Sequence, residues 1–375
     1  MYNIKKVKNS IIHGNALSIL KEFPSDSIDC FVTSSPYYGL RTYDTSPQIW
    51  GGNPNCNHTL EDHIQKPKGG RNLPDNMPNT GNDRITQKMD NPRFGVKSQF
   101  CSICNAWIGE LGQEPSHLMF IDHLVEIYME CARVLKPEGT MWLNIADSYS
   151  GSNQGNGADA SGKQATVRGT TKMQTERHKS ILSKSDIPAK SLMCIPDRLK
   201  IALVDKGLIC RNEIIWHRPN QMPSSVKDRF TNDYEKLYFF TKSKKYFFQQ
   251  QLEPYAKPMN RWGGDNLEAS GKSDWDNGTG QETYRTRNMR PNPDGKNMRT
   301  VWSINTKPNK VAHFATFPQA LPERCILAGC PKGGIVLDPF FGSGTTGLVA
   351  KKNNRNYIGI DLNQEYINIA EGILN

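Results

Sequence analysis

The sequence contains no long apolar run, and its first residues do not have the pattern expected of a secretory leader. Within its 375 residues, no apolar stretch approaches the roughly 18 residues that a membrane-spanning helix needs. The first residues, Met-Tyr-Asn-Ile-Lys-Lys, lack the apolar core of a signal peptide. We therefore expect a cytoplasmic protein with no membrane partner, in which the nine cysteines are reduced thiols or metal ligands rather than disulfides.

Acidic residues are fewer than basic residues. Asp and Glu number 37 against 47 Lys and Arg, which gives a formal net charge of +10. The isoelectric point is about 9.1. Such an excess favours a polyanionic partner, although solvated surface charge alone can account for it. The length fits one large domain with insertions, or two domains.

Three segments lack the apolar periodicity of core elements, namely residues 44–106, 150–186 and 253–300. The first is rich in Asn, Gly, Pro and Lys and the second in small polar residues, which predicts loops or insertions outside the core. The third interleaves basic and aromatic residues, a composition suited to phosphate contact and base readout. A solvated loop is the alternative. The basic residues of segment 253–300 include Arg285, Arg287 and Arg290.

Other segments carry the periodicity of core elements. Apolar residues recur at helical spacing over residues 118–135, which predicts a core helix. Residues 235–248 contain two aromatic runs around a basic turn, which predicts a β-hairpin whose aromatic residues belong to the sheet core.

A strand, a glycine loop and a helix are predicted near the C-terminus. Residues 334–337 are small or apolar and indicate a buried strand, with Asp338 at its end. Gly342 and Gly344 permit a tight turn, and residues 345–350 are typical of the first turns of a helix. This unit predicts a binding site for a nucleoside, with a structural glycine turn as the alternative.

The chemistry around the loop narrows the choice of nucleoside. A second predicted strand, residues 356–361, ends in Asp361, an acid that can accept hydrogen bonds from a ribose. The Gly-x-Gly-x-x-Gly pattern that begins at Gly342 lies nineteen residues before this acid, which satisfies the dinucleotide fingerprint and leaves an NAD-dependent oxidoreductase as an alternative. Asp338 favours a ligand with an α-amino group and a sulfonium, because a carboxylate repels a pyrophosphate.

A second motif follows the strand predicted to end at Thr33. It consists of Ser34, Ser35, Pro36 and Tyr37. The exocyclic amine of a nucleobase is a poor nucleophile because its lone pair is delocalised into the ring, so its hydrogens must be drawn towards acceptors. A serine hydroxyl and a turn carbonyl can accept them, and an aromatic face can stack a base that has left the duplex. An ordinary proline loop is the alternative.

Together these motifs resemble those of the β-class amino-methylating DNA methyltransferases. Residues 338–346, Asp-Pro-Phe-Phe-Gly-Ser-Gly-Thr-Thr, resemble the loop with which these enzymes hold S-adenosylmethionine. Residues 34–37 are similar to the Ser-Pro-Pro-Tyr motif of the cytosine-N4 type. Ser35 stands where the first proline is usual, which predicts a looser turn. The order of target motif, recognition region and cofactor half is the permuted order of the β class.

The resemblance implies an α/β fold with a doubly wound, mostly parallel sheet of the S-adenosylmethionine-dependent methyltransferase type, with circularly permuted motifs and an inserted target-recognition region. The implied divisions are a target-side catalytic half at 1–252 with insertions at 44–106 and 150–186, a recognition region at 253–300 and a cofactor-binding half at 301–375.

The implied activity is site-specific transfer of a methyl group from S-adenosylmethionine to the N4 amine of a flipped cytosine in double-stranded DNA. We expect an enzyme encoded by a bacterium, an archaeon or a phage, with a cognate restriction endonuclease that acts separately. Adenine-N6 methylation is the alternative, and Ser34 in place of Asp or Asn favours cytosine. Carbon-5 methylation needs a thiol nucleophile, usually in a Pro-Cys pair that the sequence lacks. A non-catalytic zinc DNA-binding module would leave the glycine loop without a purpose.

The resemblance also assigns residues. The catalytic candidates are Ser34, Ser35, Pro36 and Tyr37. The cofactor candidates are Asp338, Phe340, Gly342, Gly344, Thr345 and Asp361, with His313 and Phe317 from a segment similar to the one that completes the methionine pocket. The DNA-binding candidates are Arg41, Arg285, Arg287, Arg290 and Arg218, the last in a segment similar to the Trp-x-Lys-Pro-Asn of the family.

Two pairs of metal-ligand residues lie within the first insertion. Cys56 and His58 lie near its start, and Cys101 and Cys104 lie near its end, across a long loop. Three thiols and an imidazole can close a tetrahedral site, which predicts a structural zinc ion. Buried cysteines without a metal are the alternative.

Overall fold

The computed structural model describes residues 2–39, 43, 45–53, 55–58, 60–63, 98–151, 186–255, 292, 294–306 and 318–375. In these ranges the elements are, in chain order, α1 (Ile4–Val7), β1 (Ser10–His13), α2 (Ala16–Lys21), β2 (Ile28–Ser34), β3 (Gln48–Trp50), β4 (Leu60–His63), β5 (Ser98–Cys101), β6 (Trp107–Gly109), α3 (His117–Val134), β7 (Leu135–Ile145), α4 (Ile195–Asp205), β8 (Ile209–His217), β9 (Tyr234–Thr241), β10 (Leu252–Glu253), β11 (Lys296–Asn297), β12 (Val301–Ser303), α5 (Ala320–Gly329), β13 (Ile335–Asp338), α6 (Thr345–Lys352), β14 (Asn356–Asp361) and α7 (Gln364–Leu374).

The central sheet is mostly parallel, as predicted. Its eight described strands follow the order β1-β14-β13-β2-β7-β9-β8-β12. Strand β9 pairs antiparallel with both β7 and β8, and each of the other neighbouring pairs is parallel. Strands from the two ends of the chain therefore interleave, with β13 and β14 lying between β1 and β2.

Helices cover both faces of this sheet. Successive strand residues point to opposite faces, so Phe31 joins one apolar cluster and Val32 the other. The first cluster includes Leu20 of α2, Phe120 of α3 and Leu199 of α4. The second includes Cys325 of α5, Val349 of α6 and Ala370 of α7. A sheet that is buried on both faces accounts for its nearly continuous apolar strands.

The hairpin predicted over residues 235–248 is wrong. Strand β9 covers the first aromatic run, but the second run lies outside the strands. Strands β7 and β8 occupy both edges of β9, so no edge is left for a hairpin partner. The rings of Tyr246 and Phe248 instead pack on the Phe239 ring, with centroids 5.7 and 5.8 Å away.

The ends of the first insertion are also more ordered than predicted. Strands β3, β6, β5 and β4 form a four-stranded antiparallel sheet in that order, which we call the small sheet. Trp50 and Trp107 from this sheet are 5% and 3% exposed and join the main core. The prediction of a loop outside the core is therefore wrong for these ends. The division of the chain into halves stays a prediction.

Two further features bear on function. Strands β10 and β11 pair antiparallel, so the two ends of the predicted recognition region lie side by side. None of the helices in the described ranges has the length and apolar character to cross a bilayer.

Candidate active site

The two predicted motifs lie at the same edge of the sheet and border one cavity. Strands β2, β13 and β14 are adjacent and parallel, so their carboxyl ends meet there. Ser34, Pro36 and Tyr37 line the cavity on one side, and Phe340 and the residues of the glycine loop on the other. A base and a cofactor held by these two motifs would therefore be neighbours.

The glycine loop has the backbone that only glycine adopts without strain. Gly342 and Gly344 have φ angles of 51° and 83°, and Gly344 leads directly into α6. The N–H of Gly342 donates to Oδ2 of Asp361 over 2.7 Å, and the N–H of Asn363 donates to Oδ1 over 2.8 Å. Burial raises the pKa of the Asp361 carboxyl. Asp361 therefore both fixes the loop and borders the cavity with Thr345.

Asp338 lies behind the loop rather than along the cavity. It is 1% exposed and accepts hydrogen bonds from the Thr33 hydroxyl (2.6 Å), the Thr346 hydroxyl (2.7 Å) and the Phe340 N–H (3.0 Å). Burial raises the pKa of its carboxyl to about 6. Asp338 thus connects the target-side strand to the loop and to α6. Gly344, at the junction of the loop and α6, likewise shapes the loop and is not among the lining residues.

Ser34 is oriented by a residue that the sequence did not reveal. Its hydroxyl donates to Oδ1 of Asn144 over 3.0 Å. The amide of Asn144 in turn donates to the Lys236 carbonyl over 3.2 Å, which fixes the orientation of that side chain. Because its hydrogen is committed to Asn144, the Ser34 oxygen is left with lone pairs for an external donor. Asn144 lies directly opposite Ser34 in the β2–β7 ladder.

Ser35 does not loosen the turn as predicted. Its N–H donates to the Asn144 carbonyl over 3.0 Å, a bond that proline cannot make. Its hydroxyl forms a hydrogen bond with the Tyr128 hydroxyl from α3. Serine at this position therefore anchors the turn to a strand and to a helix.

Tyr37 is held by a buried ion pair. Its hydroxyl donates to Oε2 of Glu235 over 2.9 Å, and Oε1 of Glu235 accepts from Arg218 over 2.9 Å. Burial, with the nearby Glu235 charge, raises the pKa of the Tyr37 hydroxyl. Among the described residues, Nε of Arg218 is buried without a hydrogen-bond partner. Arg218 thus supports the Tyr37 ring, and its contact with DNA stays a prediction.

Several residues that line the cavity were not predicted from the sequence. Gly14 and Asn15 follow β1, whose last residue His13 pairs with Asp361. Their signal was a polar residue after a short apolar strand, the same signal that identified Asp361. Glu110 directly follows β6, and its carboxylate accepts from the Tyr43 N–H over 2.6 Å. No local pattern in the sequence marked it.

Some predicted residues lie outside the described residues and stay predictions. They are Arg41, Arg285, Arg287, Arg290, His313 and Phe317. The four predicted metal ligands are described and lie together, with ligand atoms within 4.8 Å of one another.

The cavity suits an adenosine-based methyl donor better than a dinucleotide. Asp361 offers acceptors at the end of β14, and the Asp338 carboxyl behind the loop disfavours a pyrophosphate. The second motif completes the cavity with a serine acceptor and an aromatic ring.

Fold and site together define an α/β methyltransferase that acts on an amino group. Residues 28–372 match the family model of N6- and N4-methylating DNA methylases, and the chain belongs to this family. As a member it uses S-adenosylmethionine to methylate DNA.

Relatives cover nearly the whole chain. The type II methyltransferase M.Cfr9I of Citrobacter freundii is 33% identical over 365 residues, which are 96% of this chain and 86% of that protein. The type II methyltransferase M.SmaI of Serratia marcescens is 32% identical over 372 residues, 98% of this chain and 91% of that protein. The solved structure of the PvuII DNA methyltransferase, described as cytosine-N4-specific, matches with a TM-score of 0.51 at 17% identity and covers 98% of this chain and 86% of that one. That structural likeness shows the shared fold.

Proposed function

We propose that the protein transfers a methyl group to the N4 amine of a cytosine that has turned out of double-stranded DNA. The observation that supports this most directly is the orientation of Ser34. Its hydroxyl hydrogen is held by Asn144 at 3.0 Å while the residue borders the cavity, so its oxygen can accept a hydrogen bond from an amine. The resemblance of residues 34–37 to the cytosine-N4 motif supports cytosine over adenine.

The target-side residues then have separate roles. The Ser34 hydroxyl and the carbonyl of Ser35 accept hydrogen bonds from the exocyclic amine, which returns electron density to the amine nitrogen. Pro36 fixes the turn through its restricted φ angle. Tyr37 stacks on the flipped base, and Glu235 holds the ring in place at 2.9 Å from the Tyr37 hydroxyl.

The other side of the cavity holds the cofactor. Asp361 binds the ribose, and Phe340, Gly342 and Thr345 shape the methionine end together with His313 and Phe317. When bound, S-adenosylmethionine supplies an electrophilic methyl group on its sulfonium. Asp338 contributes from behind the loop, where its hydrogen bonds to Thr33 and Phe340 keep the two sides of the cavity in register.

DNA binding rests, in this proposal, on basic residues identified from the sequence. The net charge of +10 suits a phosphate backbone, and Arg41, Arg285, Arg287 and Arg290 are the proposed contacts. Residues 253–300 form the recognition region in this proposal. A cognate restriction endonuclease that reads the same site would act separately, and such a pair functions in the cytoplasm of a bacterial, archaeal or phage-infected cell.

Mass spectrometry of nucleosides tests the proposal. DNA incubated with S-adenosylmethionine and the purified protein, then digested to nucleosides, should contain N4-methylcytosine. The Ser34→Ala protein should yield little of it, whereas Ser18→Ala, which changes an exposed serine on α2, should behave like the wild type. N6-methyladenine as the sole product would overturn the choice of base, and no methylated nucleoside from any tested genomic DNA would overturn the activity.

A further inference from the structure

The four predicted metal ligands form a cluster outside the cavity. Cys56, His58, Cys101 and Cys104 have ligand atoms within 4.8 Å of one another. The sulfurs of Cys56 and Cys101 are 3.8 Å apart, and the sulfur of Cys104 lies 3.3 Å from Nδ1 of His58. Sulfurs on one tetrahedral zinc ion lie about 3.8 Å apart, and a sulfur and an imidazole nitrogen about 3.6 Å apart, from the usual bond lengths. The Cys56–Cys101 distance equals the first value, and the Cys104–His58 distance is about 0.3 Å shorter than the second.

The backbone around the cluster is shaped for it. Cys101 ends β5, and Asn105 with φ 58° closes the turn by donating from its N–H to the Cys101 carbonyl over 2.9 Å. Gly52 approaches from the facing segment with φ 72°, where a Cβ would lie 2.8 Å from the Cys104 sulfur and 2.6 Å from the Ala106 Cβ. A side chain on Gly52 would thus compete with the ligands for space.

The donor set selects among possible occupants. Cys56 and Cys101 are both free thiols, and their 3.8 Å separation is well beyond the roughly 2.05 Å of a disulfide. Three thiolates and one imidazole are borderline-soft ligands in a closed tetrahedral set, which is typical of structural zinc and leaves no open position for catalysis.

The cluster joins the β3–β4 and β5–β6 connections of the small sheet, and this sheet forms one wall of the cavity. Trp50 of β3 and Trp107 of β6 both stack on the His123 ring of α3, with ring centroids 4.7 and 5.7 Å away. Trp50 and Glu110, next to β6, also line the cavity. The strands of the small sheet are three or four residues long, so a metal link between its connections would add stability to a sheet with few hydrogen bonds of its own.

We propose that Cys56, His58, Cys101 and Cys104 bind one structural zinc ion, and that this ion holds the small sheet in place as a wall of the cavity. Zinc binding itself does not depend on which base is methylated. Its contribution to cofactor binding rests on the proposed function of the cavity.

Metal analysis of the full-length protein tests zinc binding. Protein purified with reductant and without chelator should contain close to one zinc per chain by plasma mass spectrometry. Cys101→Ser and Cys104→Ser should lose most of it, whereas Cys194→Ser, which changes an exposed free cysteine, should keep it. Replacement of zinc by Co²⁺ in the wild-type protein should produce the intense absorption bands of a four-coordinate thiolate site. A wild-type protein that holds neither metal, or variants that keep zinc, would overturn the proposal.

Metal removal tests the role as a wall. Release of zinc by a mercurial reagent, with later removal of the reagent by excess thiol, should lower the melting temperature and weaken binding of S-adenosylhomocysteine in calorimetry. Re-addition of zinc should restore both. Unchanged affinity after complete zinc release would overturn the proposed role of the ion while leaving zinc binding itself established.

Discussion

Replacement of Asp338 by Asn tests the energetic role of the carboxylate behind the glycine loop. The pKa of this carboxyl is about 6 against an ordinary value of 3.8, because burial disfavours its charged form. A difference of about 2.2 units, at about 1.4 kcal/mol per unit, amounts to about 3 kcal/mol. Because the folded state holds this proton more tightly than the unfolded state, the contribution is complete below about pH 4 and is lost as the pH rises through 6.

Asparagine keeps much of the local hydrogen bonding. Its amide oxygen can take the place of Oδ1 and accept from the Thr33 hydroxyl and the Phe340 N–H, now 2.6 and 3.0 Å away. Its amide nitrogen then lies beside the Thr346 hydroxyl, which can rotate to accept. The variant should therefore fold, without a group that titrates at this site.

Urea denaturation between pH 4 and pH 8 measures the effect. The unfolding free energy of the wild type minus that of Asp338→Asn should fall by about 2.5 kcal/mol from pH 4 to pH 7.5, because the unfolded carboxyl, with its pKa of 3.8, is already partly ionised at pH 4. The other titrating groups contribute to both proteins and cancel in this difference. Ser18→Ala, which changes an exposed serine on α2 and no titrating group, should give a flat difference from the wild type. A flat difference for Asp338→Asn as well would refute the reasoning.

Three further predictions follow from the site. Ser34→Ala should lower kcat about 10²- to 10³-fold while the affinity for S-adenosylmethionine stays unchanged, as measured by single-turnover methylation and calorimetry; an unchanged kcat would contradict its role as acceptor. The cofactor-loaded Tyr37→Phe protein should bind DNA as tightly as the wild type, whereas Tyr37→Ala should lose about 1–3 kcal/mol of DNA-binding free energy, as measured by fluorescence anisotropy. Equal DNA affinities for the two variants would refute stacking. Gly344→Ala should destabilise the fold by about 1–2 kcal/mol or more in thermal unfolding, because its φ is 83° and a Cβ would lie 2.9 Å from that of Ala370. The control Gly372→Ala, in a helix with open space around the residue, should stabilise the fold by about 0.5–1 kcal/mol. The reverse order of stabilities would contradict the loop geometry.

The parts of the fold that depend on local sequence were predictable. The strand, glycine loop and helix around Asp338 and the strand that ends in Asp361 are each encoded within a few residues, by apolar runs followed by glycine or an acid. The parallel order of the sheet follows from strands joined by helices. For the same reason, two motifs at the ends of adjacent parallel strands could be expected to meet.

Contacts between distant segments were not predictable. Asn144 orients Ser34 across 110 residues of sequence, and Glu235 holds Tyr37 across 198. The hairpin failed because the partners of β9 are set by the whole sheet rather than by the nearest aromatic run. The small sheet was hidden because its strands are only three or four residues long and carry no clear alternation.

A crystal structure with S-adenosylhomocysteine and a DNA duplex is the most direct test of the central claim, that one cavity holds both substrates. The account predicts the cofactor product against the Gly342 loop and Asp361, with a flipped cytosine stacked on Tyr37 and its N4 amine within hydrogen-bond distance of the Ser34 hydroxyl. A cofactor or a target base bound away from this cavity would contradict it.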